Sequence, residues 1–427
     1  MKSLLKKVLA GVLGNQVKRL RRKNNFKIIG VVGSIGKTST KLAVAKVLEA
    51  DKKVRYQEGN YNDIISVPLV FFGQKMPSLW NIFSWVKIVF QNEIQIFSKF
   101  PFDVVIVELG TDAPGQVSQF RKYLHLDIAV VTAIAPEHME FFRDIKGIAE
   151  EEWSVSFFSN TILANKDLCA VLPPNLDNKK IIFYGKDYGS LYKIENILRT
   201  KDGFSFDISF EGKKIMSISY PAISEVQLYS VCAAVSVAKM LKTPDEKIKK
   251  SIVKIQSLSG RMRKLKGIKN SLIIDDTYNA SPNAVKIALD SLYVQPAAQR
   301  IAILGMMNEL GDTSREEHEK IGRHCNSKFL DLIVTVGKDA NLFLAPAARG
   351  NGCEVYEAKN SIDAGNFVVK KVKENAVILA KGSQNGVFTE EALKPLLANK
   401  FDVSKLVRQD KYWMDKKQLT FGLNHIQ

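Results

Sequence analysis

Short, almost continuously apolar runs alternate with helix-like stretches along most of this chain. Such runs are typical of strands in a parallel sheet, because crossover helices cover both faces of that sheet. The pattern therefore predicts α/β architecture, and it occurs twice. The predicted strands cover residues 26–32, 104–109, 128–134 and 161–164 in the first set, and 271–275, 300–304, 332–336 and 376–380 in the second.

A different pattern separates the two sets. Residues 203–219 alternate between apolar and polar positions, which predicts hairpin strands, and a helix is predicted from about Val226 to Leu241. A basic loop at 261–266 precedes the second set. The predicted organisation is an N-terminal arm, a central domain and a C-terminal domain, at residues 1–25, 26–262 and 263–427.

The arm is strongly basic, with 8 Lys and Arg residues and no acid in its first 24 positions. The formal net charge of +18 is therefore partly local, and no nucleic-acid function is predicted. Leu5, Leu9 and Leu13 recur at helical spacing, which predicts a basic amphipathic helix. Three roles stay open here: a helix docked on the body of the protein, peripheral contact of residues 1–23 with an anionic membrane, and an anchor for another anionic partner.

Aromatic residues are concentrated between Pro77 and Phe102. Lys87 and Glu93 interrupt this segment well before the roughly 20 apolar residues that a membrane span requires. We expect an amphipathic helix that is buried or faces a partner, with membrane contact as the alternative.

Composition narrows the class of protein. The 427 residues, of which 46% are hydrophobic, are sufficient for two or three globular domains. The four cysteines are scattered without a C-x-x-C pair, which favours buried thiols in a reducing cytoplasm over a zinc site or disulfides.

The sequence GSIGKTST at 33–40 lies between a predicted strand and a predicted helix. Glycines allow a tight turn whose N–H groups and following helix N-terminus face an anion, as in a phosphate-binding loop. Lys37 is expected to reach the outer phosphates and Thr38 to ligate Mg²⁺. The loop is shorter than the common one, whose first glycine would fall at Val31. The predicted nucleotide-binding residues are Gly33, Ser34, Gly36, Lys37, Thr38 and Ser39.

Two potential metal ligands follow predicted strands. Glu108 ends the run DVVIVE, and His138 comes after AVVTAIAP. Doubly wound sheets bind their ligands at the carboxyl ends of the strands, so both side chains are expected beside the triphosphate. A carboxylate and an imidazole can both ligate a divalent ion there.

Seven motifs, in order, resemble those of the Mur ligase superfamily, and in particular the branch that adds D-alanyl-D-alanine. The resemblance spans about residues 26–400. The motifs are EGNYNDIISVPL at 58–69, VELGTDAPGQV at 107–117, AIAPEHMEFF at 133–142, SGRM at 259–262, DDTYNASP at 275–282, LGMMNELGD at 304–312 and KGSQN at 381–385.

This resemblance implies a central P-loop ATPase domain with a mostly parallel sheet and a Rossmann-like C-terminal domain. It implies a monomeric cytoplasmic ligase that uses ATP and Mg²⁺ to form an acyl phosphate, and that adds D-alanyl-D-alanine to a muramyl-tripeptide precursor in peptidoglycan synthesis. By resemblance, Thr38 and Glu108 hold one Mg²⁺ and His138 a second. The implied nucleotide contacts are Arg261, Asp276, Tyr278 and Asn279, and the implied substrate positions are Asn60, Asn62, Lys381 and Ser383.

Three departures from the family pattern affect these expectations. Glu152 aligns with a lysine that is carbamylated in many members, so we expect its carboxylate to replace the carbamate as a catalytic metal ligand; the alternative is a solvated acidic turn at 150–152. Gln227 lies where the family commonly has His-Asn, and its amide can still bond adenine. About 25 residues precede the first predicted strand, so we expect the uridine-binding domain of the tripeptide-adding members to be absent.

The expected absence of that domain leaves two alternatives to the main reading. One is a ligase of the same chemistry with another carboxylate acceptor, such as a lipid-linked muramyl peptide or a folate. The other is a nucleotide-binding regulatory subunit whose catalysis has lapsed.

Overall fold

The structure is a computed structural model that describes residues 2–59, 61–136, 140–142, 144–169, 171 and 180–422, without the side chains of 2–4 and 180. The chain divides into two compact units. In their described parts, the first comprises Met1–Ala135 and Phe141–Ile255, and the second Pro136–Glu140 and Gln256–Gln427. The predicted domain boundary after residue 262 stays a prediction.

The first unit alternates strands and helices. Its strands are β1 (Lys27–Val32), β2 (Val54–Arg55), β3 (Val104–Glu108), β4 (Leu126–Val131), β5 (Ser159–Asn165), β6 (Lys180–Gly185), β7 (Tyr192–Arg199), β8 (Phe204–Phe210) and β9 (Lys213–Tyr220). Its helices are α1 (Lys2–Lys23), α2 (Lys37–Leu48), α3 (Ser66–Phe72), α4 (Ile82–Phe97), α5 (Gln116–Phe120), α6 (Ile145–Trp153), α7 (Val226–Met240) and α8 (Asp245–Ile252).

These strands form one sheet in the order β2-β3-β1-β4-β5-β6-β7-β8-β9. The pairs from β2 to β7 are parallel, and β7, β8 and β9 are antiparallel. The predicted α/β architecture and the hairpin at 203–219 are therefore confirmed. Strands β1, β3 and β4 are almost wholly buried, which explains why they are nearly continuous apolar runs in the sequence.

The second unit has its own sheet, in the order β10-β11-β15-β12-β13-β14, which is parallel apart from the antiparallel pair β10 and β11. Its strands are β10 (Arg263–Lys266), β11 (Leu272–Asp276), β12 (Arg300–Gly305), β13 (Leu332–Val336), β14 (Val355–Ala358) and β15 (Val377–Lys381). Its α-helices are α9 (Pro282–Tyr293), α10 (Ser314–His324), α11 (Ala345–Gly350), α12 (Ser361–Lys371) and α13 (Lys411–Phe421).

All four cysteines of the chain are buried and free, as predicted.

The basic arm is a helix docked on the first unit. Leu9 and Leu13 of α1 share an apolar cluster with Trp85 and Ile88 of α4. A side-chain amide of α1 anchors the pair, because Gln16 Nε2 donates to the Val89 carbonyl at 2.9 Å. The docked alternative for the arm is thus confirmed. Among the described residues, no helix has the length and apolar character needed to cross a membrane.

Candidate functional site

The phosphate-binding loop connects β1 to α2. Gly33 and Gly36 have φ values of +124° and +87°, a left-handed region that favours glycine. Space also requires glycine at the first position, since a Cβ on Gly33 would lie 2.4 Å from Thr132 Oγ1. The Ser34 N–H donates to the Ala133 carbonyl at 2.8 Å, which fixes the loop on the segment after β4.

Lys37 is the first residue of α2. Its ammonium donates to the Gly33 carbonyl and lies 3.4 Å from the Ser34 carbonyl oxygen. The ammonium and the loop N–H groups are therefore close together. This arrangement can present several donors to one anion. The shorter loop noted in the sequence therefore still forms a phosphate-binding turn at the N-terminus of a helix.

Glu108 lies beside this loop because parallel pairing places it opposite Val31 of β1. The Thr38 hydroxyl donates to Glu108 Oε1 at 3.2 Å, and Lys41 Nζ forms an ion pair with Oε2 at 3.1 Å. Lys41 and Glu108 are both buried. Sequence reasoning missed Lys41, although a lysine one turn after Lys37 on the buried face of α2 is a usable signal.

The donor set around Glu108 suits a hard divalent cation. Thr38 and Glu108 both offer oxygen ligands, the type that Mg²⁺ prefers. Glu108 Oε2 accepts no well-formed hydrogen bond among the described residues, although Lys41 lies near it, so it keeps lone pairs for a cation. Within the described ranges, no three His, Cys, Asp or Glu side chains form a group that could hold a metal ion.

The three consecutive glutamates of α6 differ in their surroundings. Glu152 is buried, and its Oε2 accepts the Gly33 N–H at 2.8 Å, which places the carboxylate against the phosphate-binding loop. Glu151 is also buried and accepts the N–H groups of Gly115 and Val117 at the start of α5, at 2.6 and 2.5 Å. Glu150 is exposed. A solvated acidic turn is therefore wrong for Glu151 and Glu152.

Four further residues were predicted to bind substrate, nucleotide or metal. The Gly110 N–H donates to the Asn62 carbonyl at 2.9 Å, so Asn62 lies beside the turn that follows Glu108. Gln227 Oε1 accepts the Ile223 N–H at 2.7 Å at the start of α7. A contact of Gln227 with adenine stays a prediction. His138 and Asn60 lie outside the described residues, and their roles also stay predictions.

In the second unit, the residues predicted from the SGRM, DDTYNASP and KGSQN motifs converge on the ends of β11 and β15. Register pairs Asp276 with Lys381, whose Nζ lies 2.5 Å from Asp276 Oδ2 and also donates to the Asn279 carbonyl at 3.0 Å. The Arg261 guanidinium lies over the Tyr278 ring at 4.0 Å. The structure therefore brings these five side chains or their backbone into one cluster.

Buried polar groups that were not predicted hold this cluster. Asp275 accepts the Gly260 N–H at 2.9 Å, and burial raises the pKa of this carboxyl to about 6. Arg408 donates to the carbonyls of Thr277 and Tyr278 at 2.5 and 3.0 Å and pairs with Glu390 at 2.7 Å. No local motif marks Arg408, because its partners lie far away in the sequence.

Ser383 connects two of the motifs. Its hydroxyl accepts the Asn308 N–H at 2.9 Å and donates to the Ala280 carbonyl at 3.2 Å. The neighbouring Met307 N–H donates to Nε2 of the buried His318 at 2.9 Å, while the Nδ1 nitrogen of His318 lies 2.7 Å from the Ser314 carbonyl oxygen. Since Nε2 accepts, the proton is on Nδ1 and the ring is neutral. Burial lowers the pKa of His318.

Two family models match the chain: "Mur ligase middle domain" at residues 86–238 and "Mur ligase, glutamate ligase domain" at residues 260–384. The chain is 26% identical to the UDP-N-acetylmuramoyl-tripeptide--D-alanyl-D-alanine ligase of Haemophilus influenzae over 386 residues. This match covers 87% of the chain and 77% of that protein. The Bacillus subtilis protein of the same name is also 26% identical, covering 87% of this chain and 76% of its own length.

Solved structures share the fold. MurF from Acinetobacter baumannii superposes with a TM-score of 0.74 at 22% identity, covering 93% of this chain and 80% of that one. MurF from Thermotoga maritima in complex with ADP gives 0.72 at 21% identity, covering 93% and 84%. Mycobacterium tuberculosis folylpolyglutamate synthase complexed with ADP gives 0.65 at 16% identity, covering 93% and 95%, so the fold alone does not identify the acceptor.

Proposed function

The chain belongs to the Mur ligase family, and from this premise we propose that it is an ATP-dependent ligase that adds D-alanyl-D-alanine to a UDP-linked muramyl tripeptide in peptidoglycan synthesis. The observation that carries the proposal is the meeting of Thr38, Glu108 and the phosphate-binding loop in the first unit. The names of the curated relatives supply the acceptor and the amine substrate.

The reaction has two steps. A carboxylate oxygen of the tripeptide attacks the γ-phosphorus of ATP, and the bond to the β-phosphate oxygen breaks to release ADP. The amine of D-alanyl-D-alanine then attacks the acyl phosphate, phosphate leaves, and the amine loses a proton as the amide forms. Bound Mg²⁺ would neutralise charge on the transferring phosphoryl group.

The residues of the first unit have complementary roles in this proposal. The loop N–H groups and the start of α2 bind the phosphates, and Lys37 moves from its own loop carbonyls to the γ-phosphate. Thr38 and Glu108 would hold Mg²⁺ through oxygen atoms, with His138 and Glu152 supplying a second metal position. Glu152 gives a permanent carboxylate where many relatives use a carbamylated lysine.

The cluster in the second unit completes the proposed assignments. Asp276 would bond the ribose, Arg261 a phosphate, and Tyr278 and Asn279 would line the nucleotide site. Asn60 and Asn62 would face the acceptor, and Lys381 and Ser383 the incoming amine.

We also infer a cytoplasmic monomer that makes peripheral contact with the inner face of an anionic membrane through residues 1–23, since that segment is basic.

Mass spectrometry of products tests the function directly. The pure protein is incubated with ATP, Mg²⁺, D-alanyl-D-alanine and the soluble UDP-linked muramyl tripeptide, and Lys37→Ala serves as the inactive control. A pentapeptide product with equal ADP release is expected for the wild-type protein. Nucleotide binding without product would overturn the assigned acceptor. If product formed only with a lipid-linked or folate acceptor, that acceptor would be assigned instead.

A further inference from the structure

One face of α4 presents a continuous row of exposed apolar side chains. Phe83 at the start of the helix is 91% exposed and Phe97 at its end is 72% exposed. Soluble proteins expose single apolar residues routinely, but contiguous exposed patches mark interaction sites. We call this row, together with the exposed Trp80 just before the helix, the α4 stripe; its residues on α4 are Ile82, Phe83, Val86, Phe90, Ile94 and Phe97.

A rotation of α4 about its axis could not bury the stripe without exposing the opposite face, which is already packed against the first unit. Trp85, Ile88 and Ile96 are buried. Asn92 is also buried and donates to Gln16 Oε1 of α1 at 2.9 Å. Both faces of the helix therefore carry apolar side chains, and those of the stripe stay largely exposed.

Helix α1 places cations along this stripe. Its polar contacts advance in step with α4, from Gln16 at Val89 to Lys23 at Phe97, so the two helices run parallel. Lys23 Nζ lies 3.9 Å from the centre of the Phe97 ring, and the Arg19 guanidinium lies 6.0 Å from it. Further exposed cations on these two helices are Lys7, Lys18, Arg22 and Lys87.

The acid within α4 does not oppose this charge. Glu93 accepts hydrogen bonds from Gln16 and Arg19, at 2.9 and 2.8 Å, and these contacts lower the pKa of its carboxyl. The carboxylate is thus paired with α1, and Glu93 is the only acid on these two helices.

We propose that the α4 stripe and the cations of α1 form one surface that binds an anionic lipid bilayer, with the stripe buried at the boundary between headgroups and acyl chains. This inference rests on the peripheral membrane contact proposed above and deepens it, since the arm supplies charge and α4 supplies apolar area. Charge complementarity selects this occupant, because a second copy would bring two positive surfaces together. Helix α4 would lie in the plane of the membrane.

Vesicle flotation with the full chain tests the surface. The wild-type protein should float with vesicles that mix phosphatidylglycerol and phosphatidylcholine, and not with pure phosphatidylcholine. Phe83→Ser combined with Phe90→Ser should lower the bound fraction at least roughly tenfold, and Lys18→Gln combined with Arg22→Gln should do the same and flatten the salt dependence. Phe401→Ser, at an 87% exposed phenylalanine of the second unit, is the matched control and should float like the wild-type protein.

Tryptophan fluorescence reports insertion itself. Trp80 is 60% exposed within the stripe, whereas Trp85 and Trp153 are buried. Brominated anionic lipid should quench part of the emission of the wild-type protein, and Trp80→Phe should remove that quenching without reducing flotation by more than about twofold. Flotation without quenching of Trp80 would show that the arm binds alone, and would overturn the role of the stripe.

Two further outcomes would overturn the surface, and neither depends on the ligase assignment. Self-association in sedimentation that disappears in the Phe83→Ser, Phe90→Ser variant, without vesicle binding, would make the stripe an interface between copies. Failure of the wild-type protein to float while it turns over soluble substrate would refute lipid binding and leave the ligase standing. All the variants named here should retain turnover of the soluble substrate.

Discussion

At the scale of single residues, Glu152 stands where many Mur ligases have a carbamylated lysine, and this difference bears on whether activity depends on CO₂. Its carboxylate is buried and accepts the Gly33 N–H of the phosphate-binding loop, so it is fixed next to the proposed metal position. A carbamylated lysine requires CO₂, whereas a glutamate supplies its carboxyl group without it. We therefore predict that ligase activity is the same in CO₂-depleted buffer and in bicarbonate.

Substitution of Glu152 should separate this role from simple packing. Glu152→Gln keeps the volume and an acceptor for the Gly33 N–H but removes the charge, and we expect kcat to fall at least about 100-fold with little change in thermal stability. Glu152→Lys should regain part of the activity only when bicarbonate is added. Glu150→Gln, at the exposed neighbour, is the control and should behave like the wild-type protein. Full activity of Glu152→Gln would refute the metal role.

The buried pair of Lys41 and Glu108 leads to a prediction about stability. Removal of one partner from a buried ion pair leaves an uncompensated charge, so Lys41→Met should lower the free energy of unfolding by about 3–5 kcal/mol in nucleotide-free protein. The double variant with Glu108→Gln should recover most of that loss. Urea unfolding measures both effects. Lys46→Met breaks the exposed pair with Glu49 and should cost less than about 1 kcal/mol; an equal effect at the two lysines would contradict the importance of burial.

At the scale of elements, α1 is part of the core of the first unit. Leu13, Val17 and Leu20 are fully buried, although the charge of the arm alone would suggest a detachable tail. Leu13→Ala should therefore destabilise the protein by about 2–5 kcal/mol through lost burial and a cavity. Val12→Ala, at the exposed neighbouring position, should cost less than about 0.5 kcal/mol in the same urea titration. Equal, small effects would show that the arm is not docked in solution.

The predicted elements show what periodicity can and cannot reveal. Buried strands of both sheets, such as β1, β3, β13 and β15, were predicted, because burial on both faces makes them continuous apolar runs. Strands β6 and β7, inside the first sheet, were not predicted. The edge strands β2 and β14 have two and four residues, and β10 is the basic run RKLK. Such strands are defined by a neighbour's hydrogen bonds rather than by their own pattern, so the sequence could not indicate them.

At the scale of the whole molecule, the candidate sites depend on pairs that are distant in the chain. Thr38 and Glu108 were predicted from their places in a loop and at a strand end, and Asp276 from the resemblance of DDTYNASP to a family motif. Lys41, which pairs with Glu108, and Arg408, which pairs with Glu390 and binds the backbone just after Asp276, were not predicted, because these contacts form only when the chain is folded. The candidate site positions were thus easier to predict than the residues that hold them in place.

Buried titratable groups throughout the molecule contribute to the pH dependence of stability, and two of them change the free energy of unfolding in opposite directions as the pH falls. Burial lowers the pKa of His318 by more than the Ser314 carbonyl and the nearby Asp339 and Glu317 raise it. Below a pH of about 6.5 the unfolded chain therefore takes up a proton that the folded chain refuses, and stability falls. The pKa of Asp275 is raised to about 6 from its ordinary 3.8, so the folded chain takes up that proton first, and stability rises as the pH falls between these values.

His318 should therefore dominate just below neutrality, and the two groups should oppose each other under more acidic conditions. We expect the free energy of unfolding in urea to decrease from about pH 7 to about pH 6, with a slope contribution from His318 of up to about 1.4 kcal/mol per pH unit. His318→Gln should be less stable at neutral pH but should flatten this slope, because Gln can accept the Met307 N–H and does not titrate. His324→Gln, at a more exposed histidine that pairs with Asp290, should leave the loss on acidification in place. An unchanged slope in His318→Gln would mean that His318 titrates alike in the folded and unfolded chain.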